Sequence, residues 1–322
     1  MNPNQWYELL RADHQGYKSA RETHFAKEDT RLRIQKFRFQ QLDFSGMDLS
    51  RSDFCGCEFF SCNFTGADLS DSLLRMCRFR GCQLEGANLS TCNLAKGEAI
   101  NCSFRNSDLS AASLLLQKLY GCDFSDALLD HADFSAAEAA EVPFRQVKAN
   151  RCFWTKADLR NCEFSGAELP RNVFRLAALS GAQLAGVNLA QADLTYAVLH
   201  GTNLEGSNLS EANLSNCFLQ DTNLRGANLT RAKMETVDFE GGDFTNATLA
   251  GVLTDRVESK QEREEHVAAR NAALSQYEML RLAENGEESS SNDLVSASLT
   301  QFAGQSESGQ RDEPKKVEGG DA

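Results

Sequence analysis

The chain has 322 residues and a formal net charge of −13, and 41% of its residues are apolar. No apolar run is long enough to span a bilayer, and the start, MNPNQWYELLRADHQ, lacks the basic head and apolar stretch of a secretory signal. A membrane-spanning protein is excluded on that ground, and a cytoplasmic location is expected.

In residues 1–36, Trp6, Leu9 and Leu10 form one apolar side of a short helix-like segment. A mixed basic stretch of Lys18, Arg21, Lys27, Arg31, Arg33 and Lys36 follows. We read this segment as a short N-terminal helical cap.

From Phe39 to Leu249 every fifth residue is large and apolar, and 38 of the 43 positions are Leu or Phe. The exceptions are Ala99, Ala139, Ala149, Trp154 and Met234, and nothing slips the phase. Two residues upstream of each large residue stands a small one, as at Ala67, Ala87 and Ala127. Residues two apart in an extended strand point the same way, so each unit sends one bulky and one small side chain inward. A fixed short period means a solenoid. Phe is concentrated in the register 44, 64, 104, 124, 144, 164, 244 and absent from the register 49 to 249. Positions 20 apart therefore share an environment, which predicts four five-residue sides per coil and about eleven coils over residues 37–254.

The units GADLS at 66–70, GANLS at 86–90 and GSNLS at 206–210 resemble the pentapeptide-repeat proteins, whose unit is written A(D/N)LXX. The resemblance implies an all-β fold, a right-handed quadrilateral parallel β-helix. It implies function only broadly, since members include DNA-mimicking binders of bacterial type II topoisomerases, secreted effectors and proteins with no assigned role.

Chemistry-bearing residues are absorbed by the repeat. Ten of the 11 cysteines (57, 62, 77, 82, 92, 102, 122, 152, 162 and 217) occupy the small inward slot, where a free Cys serves as a small hydrophobe. Cys55 falls outside the pattern and is the expected reactive thiol. The five histidines are dispersed, with none at metal-ligand spacing. Asp43, Asp48, Asp53, Asp68, Asp108, Asp123, Asp133, Asp158 and Asp193 occupy the outward slot before the large residue, which reads as a solvated face. Gly66, Gly86, Gly166, Gly186, Gly206 and Gly226 mark corners. We expect no catalytic residues, no metal and no cofactor.

Charge bears on partners. Residues 37–254 hold 26 acidic and 18 basic residues, a net of −8, whereas duplex DNA of the column's predicted length would carry about 30 negative charges. Along the axis, residues 37–141 sum to −7, residues 142–176 to +4 and residues 177–254 to −5. The basic belt comprises Arg145, Lys148, Arg151, Lys156, Arg160, Arg171 and Arg175, with Arg151 and Arg171 predicted to stack one coil apart. It overlaps the least regular repeats, where Ala139 and Ala149 leave space for Trp154 and Pro143 withdraws a ladder donor. We take it as the candidate partner contact.

After the column, Thr254 is placed to cap a helix over residues 255–285, with Ala269, Ala273, Tyr277 and Leu280 on one face. That helix either folds back as a cap or pairs with its copy in a homodimer. Residues 286–322 are rich in Ser, Gly and Glu and read as a disordered acidic tail. Two functional readings follow. One is a non-catalytic scaffold for a protein partner; the other is a DNA-mimicking modulator of a type II topoisomerase such as DNA gyrase. Direct binding of nucleic acid is not expected, because both acidic stretches repel phosphate.

Overall fold

The computed structural model describes residues 33–254. The expected N-terminal cap up to residue 32, the C-terminal helix with Ala269, Ala273, Tyr277 and Leu280, and the acidic tail lie outside the described residues. Five short strands, β1 (Arg38–Gln40), β2 (Glu58–Phe60), β3 (Arg78–Arg80), β4 (Glu98–Ile100) and β5 (Lys118–Tyr120), form one parallel sheet in chain order. Each pairs with the next at a twenty-residue offset, as in Phe39↔Phe59 and Phe59↔Phe79, giving four turns of a parallel β-solenoid. Isolated parallel bridges keep that offset from Arg33↔Asp53 to Lys233↔Leu253. Bridging residues recur at every fifth position, so a twenty-residue coil holds four segments, named here by their first inward residues Phe39, Phe44, Leu49 and Phe54.

The interior follows from the alternation. Every large position from Phe39 to Met234 is buried, as are the small residues two upstream from Cys57 to Ala232. Rings stack from coil to coil: Phe39 on Phe59 at 5.0 Å between centroids, Phe59 on Phe79 at 4.8 Å, Phe104 on Phe124 at 4.6 Å. Rings of adjoining segments meet edge to face, the arrangement the aromatic quadrupole prefers, as for Phe44 and Phe59. Burial fails in the last coil, where Phe239 and Leu249 are 56% and 51% exposed, because no described coil lies beyond them.

The outward acidic residues face solvent and also serve the backbone. All nine aspartates singled out above accept the backbone N–H two residues on, from Ser45 N to Asp43 Oδ1 at 3.0 Å through to Thr195 N to Asp193 Oδ1 at 3.1 Å. Asn63, Asn88, Asn208 and Asn228 do the same. An Asp or Asn side chain closing on its own backbone in this way stabilises the turn that follows. Where the repeat carries an Asx residue before the large one, that residue therefore serves the turn itself.

Turn residues adopt left-handed backbone whether or not they are glycine. Arg51, Arg151 and Arg171 have φ of 56°, 56° and 59°. The cost of that conformation for an L-residue is offset by a hydrogen bond to the next coil, as from Arg51 N to Ser70 O at 2.8 Å and Arg171 N to Ala190 O at 2.9 Å. Outside the Phe39 segment charges alternate in register: Arg38, Glu58, Arg78, Glu98, Lys118, Glu138. Glu58 joins Arg38 and Arg78 at 2.6 and 2.9 Å, and its carboxyl is held below the usual range by hydrogen bonding to Arg38.

Candidate functional site

The twenty-residue coil distributes the basic belt over several segments. Arg145 lies in the Phe44 segment, Lys148 in the Leu49 segment, Arg175 in the Phe54 segment and Arg160 in the Phe39 segment. Arg151, Arg171 and Lys156 occupy left-handed turns. The bridges Lys148↔Glu168 and Phe153↔Val173 on either side set Arg171 one coil from Arg151.

Neighbouring carboxylates neutralise three of the seven cations. Arg145 pairs with Glu163, Arg160 with Asp158 at 2.6 Å and Arg175 with Asp193 at 2.7 Å. Hydrogen bonding to its partner raises the guanidinium pKa of Arg145 and of Arg160, and Arg145 lowers that of Glu163. Arg171 donates to the neutral Gln191 at 2.8 Å, and Gln191 in turn donates to Glu211 at 2.8 Å. Burial lowers the pKa of Lys156. Among the described residues, no carboxylate lies within ion-pair distance of Lys148, Arg151 or Arg171.

A dense core backs these cations. The coil from Ala139 to Trp154 points Ala139, Phe144, Ala149 and Trp154 inward, all buried, so two small residues accompany the largest side chain. Trp154 stacks on Phe134 at 4.4 Å and on Phe174 at 5.9 Å. Its Nε1 donates to Asn172 Oδ1 at 3.1 Å, and the Asn172 amide donates to the Ala149 carbonyl. Pro143 has no N–H, whereas Ser103 and Asp123 in the same column donate to the Cys82 and Cys102 carbonyls.

Three outward apolar residues beside the belt escaped the sequence reading. Phe153 is 45% exposed and bridges Val173, while Leu128 is 42% exposed and bridges Lys148. The signal was present in the sequence, since RCFW and RNVF place Phe and Val where the repeat carries Asp or Asn.

The cysteines are free and, apart from Cys55, buried. The thiols of Cys57, Cys77, Cys82, Cys122, Cys162 and Cys217 donate to carbonyls 23 residues earlier, from Cys57 to Ile34 O at 2.9 Å and from Cys162 to Ala139 O at 2.9 Å, as the hydroxyl of Thr202 does to Leu179 O at 2.8 Å. Cys therefore adds a weak donor to the packing role of Ala. Burial pushes Cys57 up to about 12, and hydrogen bonding to Cys102 pushes Cys82 up to about 12. Cys55 is half-buried and its pKa is also raised, by burial and then by Asp53, so accessibility favours its reaction while thiolate content opposes it. We expect a disulfide reagent to modify Cys55 alone, and slowly, in the native protein, with the other ten reacting only after denaturation. Rapid native modification of several thiols, counted by mass spectrometry, contradicts this burial. Among the described residues no group of three His, Cys, Asp or Glu side chains is arranged to hold a metal ion, and no helix is long and apolar enough to cross a membrane.

A family model described as pentapeptide repeats matches the chain in 8 copies, over residues 38–75, 74–110, 140–171, 173–210 and 207–246. No curated protein matches it. Among solved structures, HetL, a pentapeptide repeat protein involved in heterocyst differentiation regulation from the cyanobacterium Nostoc, is 22% identical. The match covers 79% of this chain and 97% of HetL, with a TM-score of 0.35. Trypsin-treated QnrB1, a plasmid-mediated fluoroquinolone resistance protein, is 20% identical, with 71% of this chain and 97% of that one covered and a TM-score of 0.34. A pentapeptide repeat protein from the Arabidopsis thaliana thylakoid lumen is 26% identical, with 35% and 71% covered and a TM-score of 0.24.

Proposed function

The chain belongs to the pentapeptide-repeat family, and from that premise we propose that it is a non-catalytic interaction scaffold, a rigid cytoplasmic column whose charged exterior receives a protein partner. We take the column to be right-handed and four-sided, with about eleven coils. One observation carries the functional reading: Lys148, Arg151 and Arg171 stand exposed on adjoining coils with no carboxylate at ion-pair distance among the described residues. Uncompensated charge held on a fixed backbone attracts an oppositely charged surface and orients its approach. The large inward positions from Phe39 to Met234 are filled by buried apolar side chains, so recognition is left to the outside.

The second reading, a DNA-mimicking modulator of a type II topoisomerase such as DNA gyrase, draws on the family and on the acidity of residues 37–141 and 177–254. It is the weaker of the two. Nine of the aspartates close turns, and the alternating ladder outside the Phe39 segment cancels its own charge. Affinity capture from a bacterial lysate, with residues 37–254 alone as the control bait, tests the first reading. A protein retained by both baits and released by salt supports it, and no retained protein counts against it. Inhibition of supercoiling by purified gyrase on adding the chain turns the choice to the second.

A further inference from the structure

We propose, resting on the scaffold reading, that the belt contacts its partner through one mixed patch of Leu128, Lys148, Arg151, Phe153, Arg171 and Val173, and that the partner element is an acidic peptide segment carrying a bulky apolar side chain. Phe153 and Val173 stand in the outward slot where Asp133 and Asp193, one coil to either side, each accept the N–H two residues on. Phe and Val have no oxygen to offer, so these two consecutive coils forgo the turn closure that Asp133 and Asp193 supply on either side. Phe153 does not serve the core in exchange, since it is 45% exposed. The repeat itself gives no reason for a phenylalanine there.

The surroundings point to the ligand's chemistry. Two residues before Phe153 and Val173 stand Arg151 and Arg171, stacked on one turn, and round that turn Lys148 bridges Leu128. Two guanidinium groups without carboxylates are thus flanked on both sides by exposed apolar side chains. A carboxylate can meet the arginines bidentately while a neighbouring apolar side chain covers Phe153, as aromatic and Arg anchors do at interface centres. The platform is preformed, because Trp154 and Asn172, the residues next to Phe153 and Arg171, form the buried pair joined at 3.1 Å. Such fixed anchors lose little freedom on binding. The patch draws on three successive coils, two strand spacings or about 10 Å of the axis, in a chain whose residues 37–141 and 177–254 sum to −7 and −5. A short acidic segment fits that span, while a longer polyanion such as nucleic acid is repelled beyond it.

The test is fluorescence anisotropy of the full chain with a set of labelled ten-residue peptides. Each alternates Glu with Ser around one Phe or Leu, with all-Glu/Ser peptides and a ten-nucleotide single-stranded DNA as comparisons. The Phe and Leu peptides are expected to bind at least about tenfold more tightly than the peptide lacking an apolar residue. The double substitution Arg151→Glu/Arg171→Glu should weaken them about tenfold or more, and Phe153→Ser about tenfold to thirtyfold. All three residues are exposed, and unchanged circular dichroism verifies folding. Absence of peptide binding, equal binding by the variants, or tighter binding of the oligonucleotide overturns the proposal. Repeating the lysate capture with the double variant separates the two readings: a partner retained equally by the variant removes this patch and leaves the scaffold standing.

Discussion

Substituting Trp154 with alanine is expected to destabilise the column by about 3–5 kcal/mol, the range for deleting a large aromatic from a packed core. Trp154 is fully buried and sits between Phe134 and Phe174, with Phe144 and Phe164 against its edges. Ala139 and Ala149 share its coil, so no neighbouring inward side chain of that coil except Phe144 is long enough to fill the void. The loss is also polar. Asn172 Oδ1 would lose the indole N–H while remaining buried, and an unpaired buried group costs about 1–3 kcal/mol. Trp154→Phe approaches that second part, since it keeps a six-membered ring in the stack and removes the donor with the smaller ring of the indole. Chemical denaturation should therefore rank wild type above Trp154→Phe above Trp154→Ala. In a solenoid, stability is roughly a sum over neighbouring repeats, so hydrogen exchange should locate the damage in the coils carrying Phe134, Trp154 and Phe174. Equal stability of the wild type and Trp154→Phe would mean that the Asn172 bond contributes nothing.

The same region shows how much of the molecule could be read from its sequence. The inward series was legible, because a five-residue period fixes which atoms leave water whatever the detailed backbone. Trp154 with Ala139 and Ala149 was legible too, as a conservation of volume within one coil. The turn chemistry was not. Glycine marked some turns, yet among the described residues 30 non-glycine residues share the left-handed conformation with 14 glycines, since a hydrogen bond to the next coil holds any side chain there. Asp43 and its counterparts do face solvent, but hydropathy counts the carboxylate and misses the N–H two residues away that it accepts.

Legibility at the belt divides in the same manner. Arg151 and Arg171 fall one coil apart as the twenty-residue period requires. The neutralisation of Arg145 by Glu163 and of Arg175 by Asp193 was missed because those pairs lie 18 residues apart, not 20. Arg80–Glu98, Arg105–Asp123 and Arg225–Asp243 follow the same offset. The residue after the large position leans toward the outward slot of the next coil. Stacking at 20 and pairing at 18 are separate rules, and only together do they identify which cations remain for a partner.

Gly97→Ala is expected to destabilise by about 2–4 kcal/mol, combining local overpacking with the loss of one buried hydrogen bond, even though the residue is not in a left-handed turn. Gly97 stands in the small inward slot, where the chain otherwise accepts Cys77 and Ala137. A Cβ there would lie 2.5 Å from the Cys77 carbonyl oxygen and 2.8 Å from Gln117 Oε1. The Gln117 side chain is buried over Gly97 and accepts its N–H at 2.9 Å. At the equivalent positions Cys77, Gln117 and Ala137 the N–H instead donates to the carbonyl three residues back, at 3.2, 3.0 and 3.0 Å. Gly97 and Gln117 thus act as one unit that departs from the repeat together. Gln117→Ala frees the space and lets the Gly97 N–H return to the Leu94 carbonyl. The double variant Gly97→Ala/Gln117→Ala should then recover about 1–3 kcal/mol relative to the sum of the single changes, the coupling expected of residues in contact. Urea denaturation of the wild type and three variants measures that coupling. Strict additivity would show that the Cys77 carbonyl alone excludes a side chain at Gly97, and that Gln117 fills a space the backbone had already left.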